Sequence, residues 1–179
     1  MSTSSPDPLV TELLFRVERL EAAQQIAEVH NDYVRALADR DWDRVADHYT
    51  EDAYCDIRNH GVHRGRTEIR KMFADDLEHV VRTRDGYILS SPVITVDGDT
   101  ATGEWIWHRL QSDFHTALGT IRVWGPWSEG KYRCEYRRVE SRWKISKLWF
   151  RVHAPDSDDE LLAAKQDSRV VGALRPLAS

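Results

Sequence analysis

The chain has 179 residues, a formal net charge of −5 and 41% hydrophobic residues, which suits one domain whose core can hold a small-molecule pocket. No run approaches the ~18 consecutive apolar residues of a membrane span, and the first residues do not resemble a secretory signal. The acidic balance excludes a basic nucleic-acid footprint, and two cysteines are too few for a disulfide framework. We therefore expect a cytoplasmic protein with reduced thiols and no membrane or nucleic-acid partner.

The first half of the chain is predicted to be helical. Residues 1–8 are rich in Ser, Thr and Pro and are expected to be disordered. The next apolar residues recur at helical spacing on what we interpret as a single face. The predicted elements are a helix over 9–39 (or two helices joined near Ala22–Gln25), a helix over 42–49 capped by Asp41, a strand over 53–58 and a helix from Thr67.

After Gly86 the apolar pattern changes to period two, which predicts strands. Helices followed by strands indicate an α+β domain over 9–154, with a curved antiparallel sheet and helices on its concave face. The tail over 155–179 is acidic and then apolar, and whether it caps a pocket stays open. The predicted strands are 87–96, 101–110, 131–140 and 143–152, with a hairpin turn at Asp97-Gly98.

Aromatic and histidine residues are numerous for this length. The chain has seven Trp, six Tyr and eight His. Such a set favours the wall of a cavity for a flat apolar ligand. Ordinary core packing is the alternative for any one of these residues.

Several short strings resemble the SnoaL-like branch of the nuclear transport factor two-like superfamily. The resemblance extends over about residues 20–152. It implies a cone-shaped fold that encloses one pocket, and dehydratase or isomerase chemistry without a cofactor. The strings are Tyr33-Val-Arg-Ala-Leu-Ala-Asp-Arg-Asp-Trp42, His48-Tyr-Thr-Glu-Asp-Ala53, Gly61-Val-His-Arg-Gly65, Val96-Asp-Gly-Asp-Thr-Ala101, Gly130-Lys-Tyr132 and Trp143-Lys-Ile145.

The resemblance transfers only some of the family's catalytic residues. Tyr33 matches a tyrosine whose hydroxyl stabilises an enolate-like oxygen. The position of the dehydratases' catalytic aspartate is Ala38 here, and no histidine lies over 87–90. The family's Asp–His pair is therefore absent from its usual positions.

Asp56 and His115 are the candidate general bases. Asp56 lies one position from the place where ketosteroid isomerase keeps its base, so the strand register decides whether it enters the cavity. The alternative for Asp56 is a solvated strand residue that pairs with Arg58 or with an arginine of the final hairpin. His115 is spaced from His108 roughly as a second catalytic histidine of scytalone dehydratase would be, and its alternative is an exposed loop residue. A metal set of Asp56, His60 and His63 is rejected, because His60 is better explained by a loop at the pocket rim.

Alternation along the strands predicts the binding surface. Trp105 and Trp107 share a face with Ala101 and Gly103, whose small size would leave room for a ligand floor. Arg151 is the nearest match to a family arginine that helps to bind or polarise the substrate, and His153 is the alternative if the strand register slips. The predicted substrate-binding residues are Tyr54, Trp105, Trp107, Tyr132 and Trp149.

These residues predict a cofactor-independent, metal-free lyase or isomerase that acts by acid–base catalysis on an aromatic or polycyclic small molecule. The predicted catalytic residues are Tyr33, Asp56, His115 and Arg151. A non-catalytic small-molecule carrier on the same fold is the alternative. The resemblance also implies a homodimer or higher homo-oligomer packed through the second sheet face, where Ile106 and Phe150 are expected to be exposed.

Overall fold

The computed structural model describes residues 7–57, 60–77, 86–110, 112–114, 122–124 and 128–152. Helices come first and strands follow, so the predicted α+β class is confirmed. The helices are α1 (Pro8–Asp39), α2 (Trp42–Asp47) and α3 (Arg66–Asp75). The strands are β1 (Tyr49–Ile57), β2 (Val62–Arg64), β3 (Gly86–Asp97), β4 (Thr100–Leu110), β5 (Ser112–Phe114), β6 (Arg122–Trp124), β7 (Ser128–Val139) and β8 (Arg142–Val152).

Six strands form one curved sheet in the order β2-β1-β8-β7-β4-β3, and β5 pairs with β6 separately. All neighbours in the large sheet are antiparallel except β1 and β8, which run parallel. The sheet is thus mixed, whereas the sequence predicts an antiparallel one. We call the sheet face that carries the core and packs against the helices the inner face, and the opposite one the outer face.

Helix α1 is one helix, but its two halves have different surroundings. Asp7 caps it by accepting a hydrogen bond from the Leu9 amide, so order begins inside the predicted disordered segment 1–8. Residues 7–21 are all exposed, whereas Ala22, Ile26 and others of the second half are buried. The predicted helix over 9–39 is thus present as a single helix, but only its second half is buried.

Local signals place the other boundaries. The carboxylate of Asp41 accepts a hydrogen bond from the Arg44 amide at 3.1 Å, which confirms the predicted cap of α2. The Asp97-Gly98 turn joins β3 to β4 as predicted, and Gly98 has a φ of 55°. The β7–β8 turn places Glu140 and Ser141 in the left-handed region, which is the geometry of a tight hairpin turn.

An irregularity in β8 determines which of its residues face inward. The β7–β8 register pairs Tyr136 with Ile145 but Glu135 with Lys147, so Ser146 is one extra residue on β8. Ile145 is buried before this bulge and Leu148 after it. The bulge shifts the inward positions of the last part of β8 by one residue, because side chains alternate between the two faces.

No helix in the described part of the chain is both long and apolar enough to cross a bilayer. The predicted tail over 155–179 lies outside the described residues, as does the N-terminal segment 1–6.

Candidate active site

A cavity of about 150 Å³ lies between the helices and the inner face of the sheet. Its walls are mostly rings. Tyr132 stacks on Phe150 with ring centroids 4.4 Å apart, and Tyr87 stacks on Trp107 at 5.6 Å. The described lining residues are Tyr33, Val34, Leu37, Ile57, His60, Phe73, Leu77, Tyr87, Trp107, Arg109, Tyr132, Phe150 and Val152.

Tyr33 reaches this cavity from the buried face of α1 and is itself fully buried. The hydroxyl of Tyr49 donates a hydrogen bond to the Tyr33 hydroxyl at 3.3 Å, and Tyr49 also lies 3.5 Å from the Cys55 sulfur. Since Tyr33 is the acceptor of that bond, its own proton is available to another group. The second tyrosine, which the sequence does not single out, therefore orients the first.

Two phenols keep their protons in this environment. Burial raises the pKa of Tyr33 well above its ordinary value of 10, and neighbouring ionisable groups add to the effect. Burial likewise raises the pKa of Tyr132. Both side chains can therefore act at neutral pH as hydrogen-bond donors to an oxygen that develops negative charge.

His30 lies behind this wall and is not a lining residue. Its ring stacks on Trp105 with centroids 4.0 Å apart, and its Nδ1 lies 2.8 Å from the Tyr136 hydroxyl. Burial lowers the pKa of His30 to about 3, with a smaller contribution from His48. The histidine therefore stays neutral near neutral pH. Its position three residues before Tyr33 puts both on one helix face, a signal that the sequence interpretation missed.

Trp105 is a core residue and does not form a ligand floor. A Cβ on Gly103 would lie 2.3 Å from the indole of Trp105, so that ring occupies the room that the glycine leaves. Gly103 is thus needed so that the Trp105 indole can stack on the His30 ring. Trp107 and Tyr132, by contrast, do line the cavity.

Asp56 and Arg151 lie together on the outer face of the sheet. Arg151 donates from its guanidinium to Asp56 Oδ2 at 2.6 Å and to the Asp56 carbonyl at 3.1 Å. Their strand neighbours Ile57 and Phe150 are the residues that line the cavity. The structure therefore places this pair as the ion pair weighed above as the alternative, away from the cavity and from the catalytic position predicted for each.

Tyr54 and Trp149 share that outer face, with ring centroids 5.6 Å apart. The guanidinium of Arg64 covers the Tyr54 ring at 5.1 Å. Neither aromatic side chain lines the cavity, contrary to their predicted substrate-binding roles. Continuous alternation from Ile145 would have placed Trp149 inward, but the extra residue Ser146 moves it to the outer face.

Histidines near the cavity have different placements. His60 lines the cavity at its rim, as the loop explanation predicts, and its carbonyl accepts a hydrogen bond from His63 Nε2 at 2.9 Å. His115 lies outside the described residues, so its role stays a prediction. Among the residues described here, no three His, Cys, Asp or Glu side chains are grouped so that they could hold a metal ion.

A carboxylate–imidazole pair does occur, but outside the cavity. His48 Nε2 lies 3.1 Å from Asp32 Oδ2, and Arg44 binds the same carboxylate. The Arg44 hydrogen bond is the main cause of the lowered pKa of Asp32, whereas burial lowers the pKa of His48. The His48 ring meets the Tyr33 ring edge-on with centroids 6.3 Å apart, but His48 does not line the cavity.

The family model of the SnoaL-like domain matches residues 18–148. A comparison with curated protein sequences finds no match.

Solved structures share the fold at low identity. An NTF2-like protein with a cystatin-like fold from Novosphingobium aromaticivorans is 16% identical, with a TM-score of 0.64, and the match covers 97% of this chain and all of that one. A hexachlorocyclohexane dehydrochlorinase, LinA type 3, from Novosphingobium barchaimii is 18% identical, with a TM-score of 0.62 and 78% and 91% coverage. An NTF2-like protein of unknown function from Pseudomonas putida is 14% identical, with a TM-score of 0.60 and 73% and 86% coverage. These identities establish the fold alone.

Proposed function

Because this chain belongs to the family of SnoaL-like domains, we propose that it is a cofactor-independent lyase or isomerase for a small, ring-containing ketone or phenol. The observation that supports this most is the Tyr33 hydroxyl, which accepts from Tyr49 and so keeps its own proton for a ligand in an aromatic cavity. A hexachlorocyclohexane dehydrochlorinase is among the proteins that share this fold, which agrees with the proposal of a lyase. We place the enzyme in the cytoplasm, since both cysteines are free thiols.

In the proposed mechanism, Tyr33 and Tyr132 hold the substrate oxygen. A base removes a proton from the carbon beside the carbonyl, and the electron pair moves onto that oxygen. The two phenols stabilise the resulting oxyanion, because they are buried donors with raised pKa values that remain protonated. Removing one such donor typically costs about 10²–10³ in rate.

His60 is the proposed base, since it is the imidazole among the described cavity-lining residues. An imidazole can take a proton and return it near neutral pH. Returning it to a different carbon completes an isomerisation, whereas returning it to a leaving hydroxyl on the neighbouring carbon completes a dehydration. His115 is retained as a second candidate for the same step, because it was predicted from the sequence.

The cavity favours a substrate smaller than a steroid. A space of about 150 Å³ is similar in volume to an engineered apolar cavity that accepts benzene. We therefore propose a substrate with one ring and one carbonyl or phenolic oxygen. The apolar walls supply binding energy and the two phenols supply orientation.

Binding of 4-nitrophenol tests the oxyanion site without knowledge of the substrate. Its absorbance reports whether the bound form is ionised. We expect Tyr33→Phe to weaken binding of the phenolate at least tenfold, and Tyr54→Phe, which removes a hydroxyl from the outer face, to leave it unchanged. Equal affinity in wild type and Tyr33→Phe would remove the tyrosine from the site.

Proton transfer is tested by hydrogen–deuterium exchange at the carbon beside the carbonyl of 2-cyclohexenone, followed by NMR in D₂O. With wild-type protein this hydrogen should exchange faster than in buffer alone, both before and after the protein is dialysed against a chelator. His60→Gln should lose the acceleration. Tyr49→Phe should retain part of it, because Tyr49 only orients Tyr33.

A small-molecule carrier is the second candidate function. It is favoured by the lining itself, which contains no carboxylate among the described residues. Saturable binding of 4-nitrophenol without any accelerated exchange would support the carrier and contradict the enzyme.

A further inference from the structure

The first half of α1 carries an exposed apolar stripe that the cavity and the core do not use. Every residue over 7–21 is exposed. Seven large apolar side chains in this stretch each expose between 47% and 71% of their surface, and Phe15 is one of them. The other six form what we call the α1 ridge. They are Leu9, Val10, Leu13, Leu14, Val17 and Leu20.

The ridge faces away from the body of the domain. Leu13 and Ala22 are nine residues apart, as are Val17 and Ile26, and nine residues make two and a half turns of an α-helix. Ala22 and Ile26 are buried against the body. Leu13 and Val17 therefore point in the opposite direction, where another molecule can approach them. Leu20, at the end of the ridge, also borders Ile94 and Val96 of β3 but keeps 71% of its surface exposed.

The spacing within the ridge is that of a two-stranded coiled coil. Val10, Leu13, Val17 and Leu20 are separated by three, four and three residues, so they occupy positions a, d, a and d of two heptads. β-Branched residues at a and leucines at d favour two parallel strands. The pattern ends after these two heptads, because the next a position is Gln24.

The flanking residues match the same arrangement. In a parallel pair, a residue at g faces the residue five positions later, at e, on the other helix. Here Arg16 at g would face Glu21 at e, and Leu9 would face Leu14. The first pair is of opposite charge and the second is apolar, so both are complementary between two copies of one sequence.

We propose that the α1 ridge pairs with the α1 ridge of a second copy of this chain, in parallel and in register, to form a homodimer. The proposal differs from the sequence-based expectation of packing through the outer sheet face. That face carries ion pairs, among them Glu135–Lys147 and Asp56–Arg151. Phe150, expected to be exposed there, instead lines the cavity, and Ile106 is half-buried.

The size of the ridge predicts a reversible dimer. Six half-exposed side chains present roughly 500–600 Å² on each copy, below the ~800 Å² per partner of a standard stable interface. The pairing is independent of the chemistry in the cavity. We expect a dissociation constant of about 1–100 µM, in keeping with the low end of specific interface sizes.

Sedimentation equilibrium of the full chain over a range of about 1–500 µM tests the pairing. Wild type should pass from monomer to dimer, and Leu13→Glu should raise the dissociation constant at least tenfold. Val62→Glu is the matched control, since Val62 is also apolar and 50% exposed but lies on β2. A wild type that stays monomeric throughout, or a dimer that Leu13→Glu leaves intact, would overturn the proposal. Circular dichroism confirms that each variant is folded.

Cysteine cross-linking tests the parallel register. In a parallel pair Leu13 faces its own copy, within the Cα distance that a disulfide spans, whereas an antiparallel pair would bring it against a different residue. Under mild oxidation Leu13→Cys should give a covalent dimer and Glu12→Cys, one position off the seam, should not. Cys55 and Cys134 are buried and free, so they do not obscure the result. Equal cross-linking of both variants would refute the parallel arrangement.

Discussion

Acidification is expected to destabilise this protein through His30. The loss should begin at a pH well above the range in which carboxylates titrate. The folded-state pKa of His30 is about 3 because the ring is fully buried, whereas an unfolded chain has a histidine pKa of about 6.5. Between these values the unfolded chain binds a proton that the folded protein excludes. The free energy of unfolding must therefore fall as the pH falls below about 6.5.

The size of the effect follows from the pKa difference. Each pH unit below 6.5 costs about 1.4 kcal/mol, so lowering the pH from 7 to 5 should remove about 2 kcal/mol of stability through this one side chain. His48 contributes in the same direction, because burial also lowers its pKa. Asp32 and Asp43 have pKa values lowered below 3.8 and contribute only at more acidic pH.

Urea unfolding at pH 7, 6 and 5, followed by circular dichroism, measures this contribution. His30→Phe keeps a ring against Trp105 and should reduce the loss between pH 7 and 5 by about 2 kcal/mol. The substitution also removes the His30 partner of the buried Tyr136 hydroxyl. This loss lowers the free energy of unfolding by the same amount at each pH. Tyr136→Phe and the double variant separate this constant cost from the pH-dependent one. Equal losses in wild type and His30→Phe would refute the assignment of a neutral, buried imidazole.

Two further predictions concern the sheet. Asp56→Asn and Arg151→Met should leave 4-nitrophenol binding intact, since the pair lies on the outer face of the sheet. A large loss of binding in calorimetric titrations would return both residues to the site. Gly103→Ala should lower the free energy of unfolding in urea by about 1–3 kcal/mol, because the new Cβ would collide with the Trp105 indole. An unchanged urea midpoint would show that the indole can move at little cost.

The local elements follow from short-range signals in the sequence. The Asp41 cap, the Asp97-Gly98 turn and the alternation of β4 each depend on residues that are neighbours in the chain, so the pattern contains the information. The approach of Tyr33 to an aromatic cavity also follows, because the helix period and the strand alternation agree.

Contacts between elements that are distant in the sequence could not be predicted in this way. The Ser146 bulge is one residue long and has no strong signal of its own, yet it moves Trp149 and Arg151 to the outer face. The hydrogen bond from Tyr49 to Tyr33 joins a strand to a helix sixteen positions away. Each of these depends on how separate elements pack.

The sequence by itself determined the class of fold and the order of its main elements, because these reflect propensities and periodicities within continuous segments. Only the tertiary structure decided which side chains share the cavity and that the first half of α1 is exposed, since one inserted residue reverses a strand face and since burial is the main cause of the shifted pKa values of His30, Tyr33 and Tyr132.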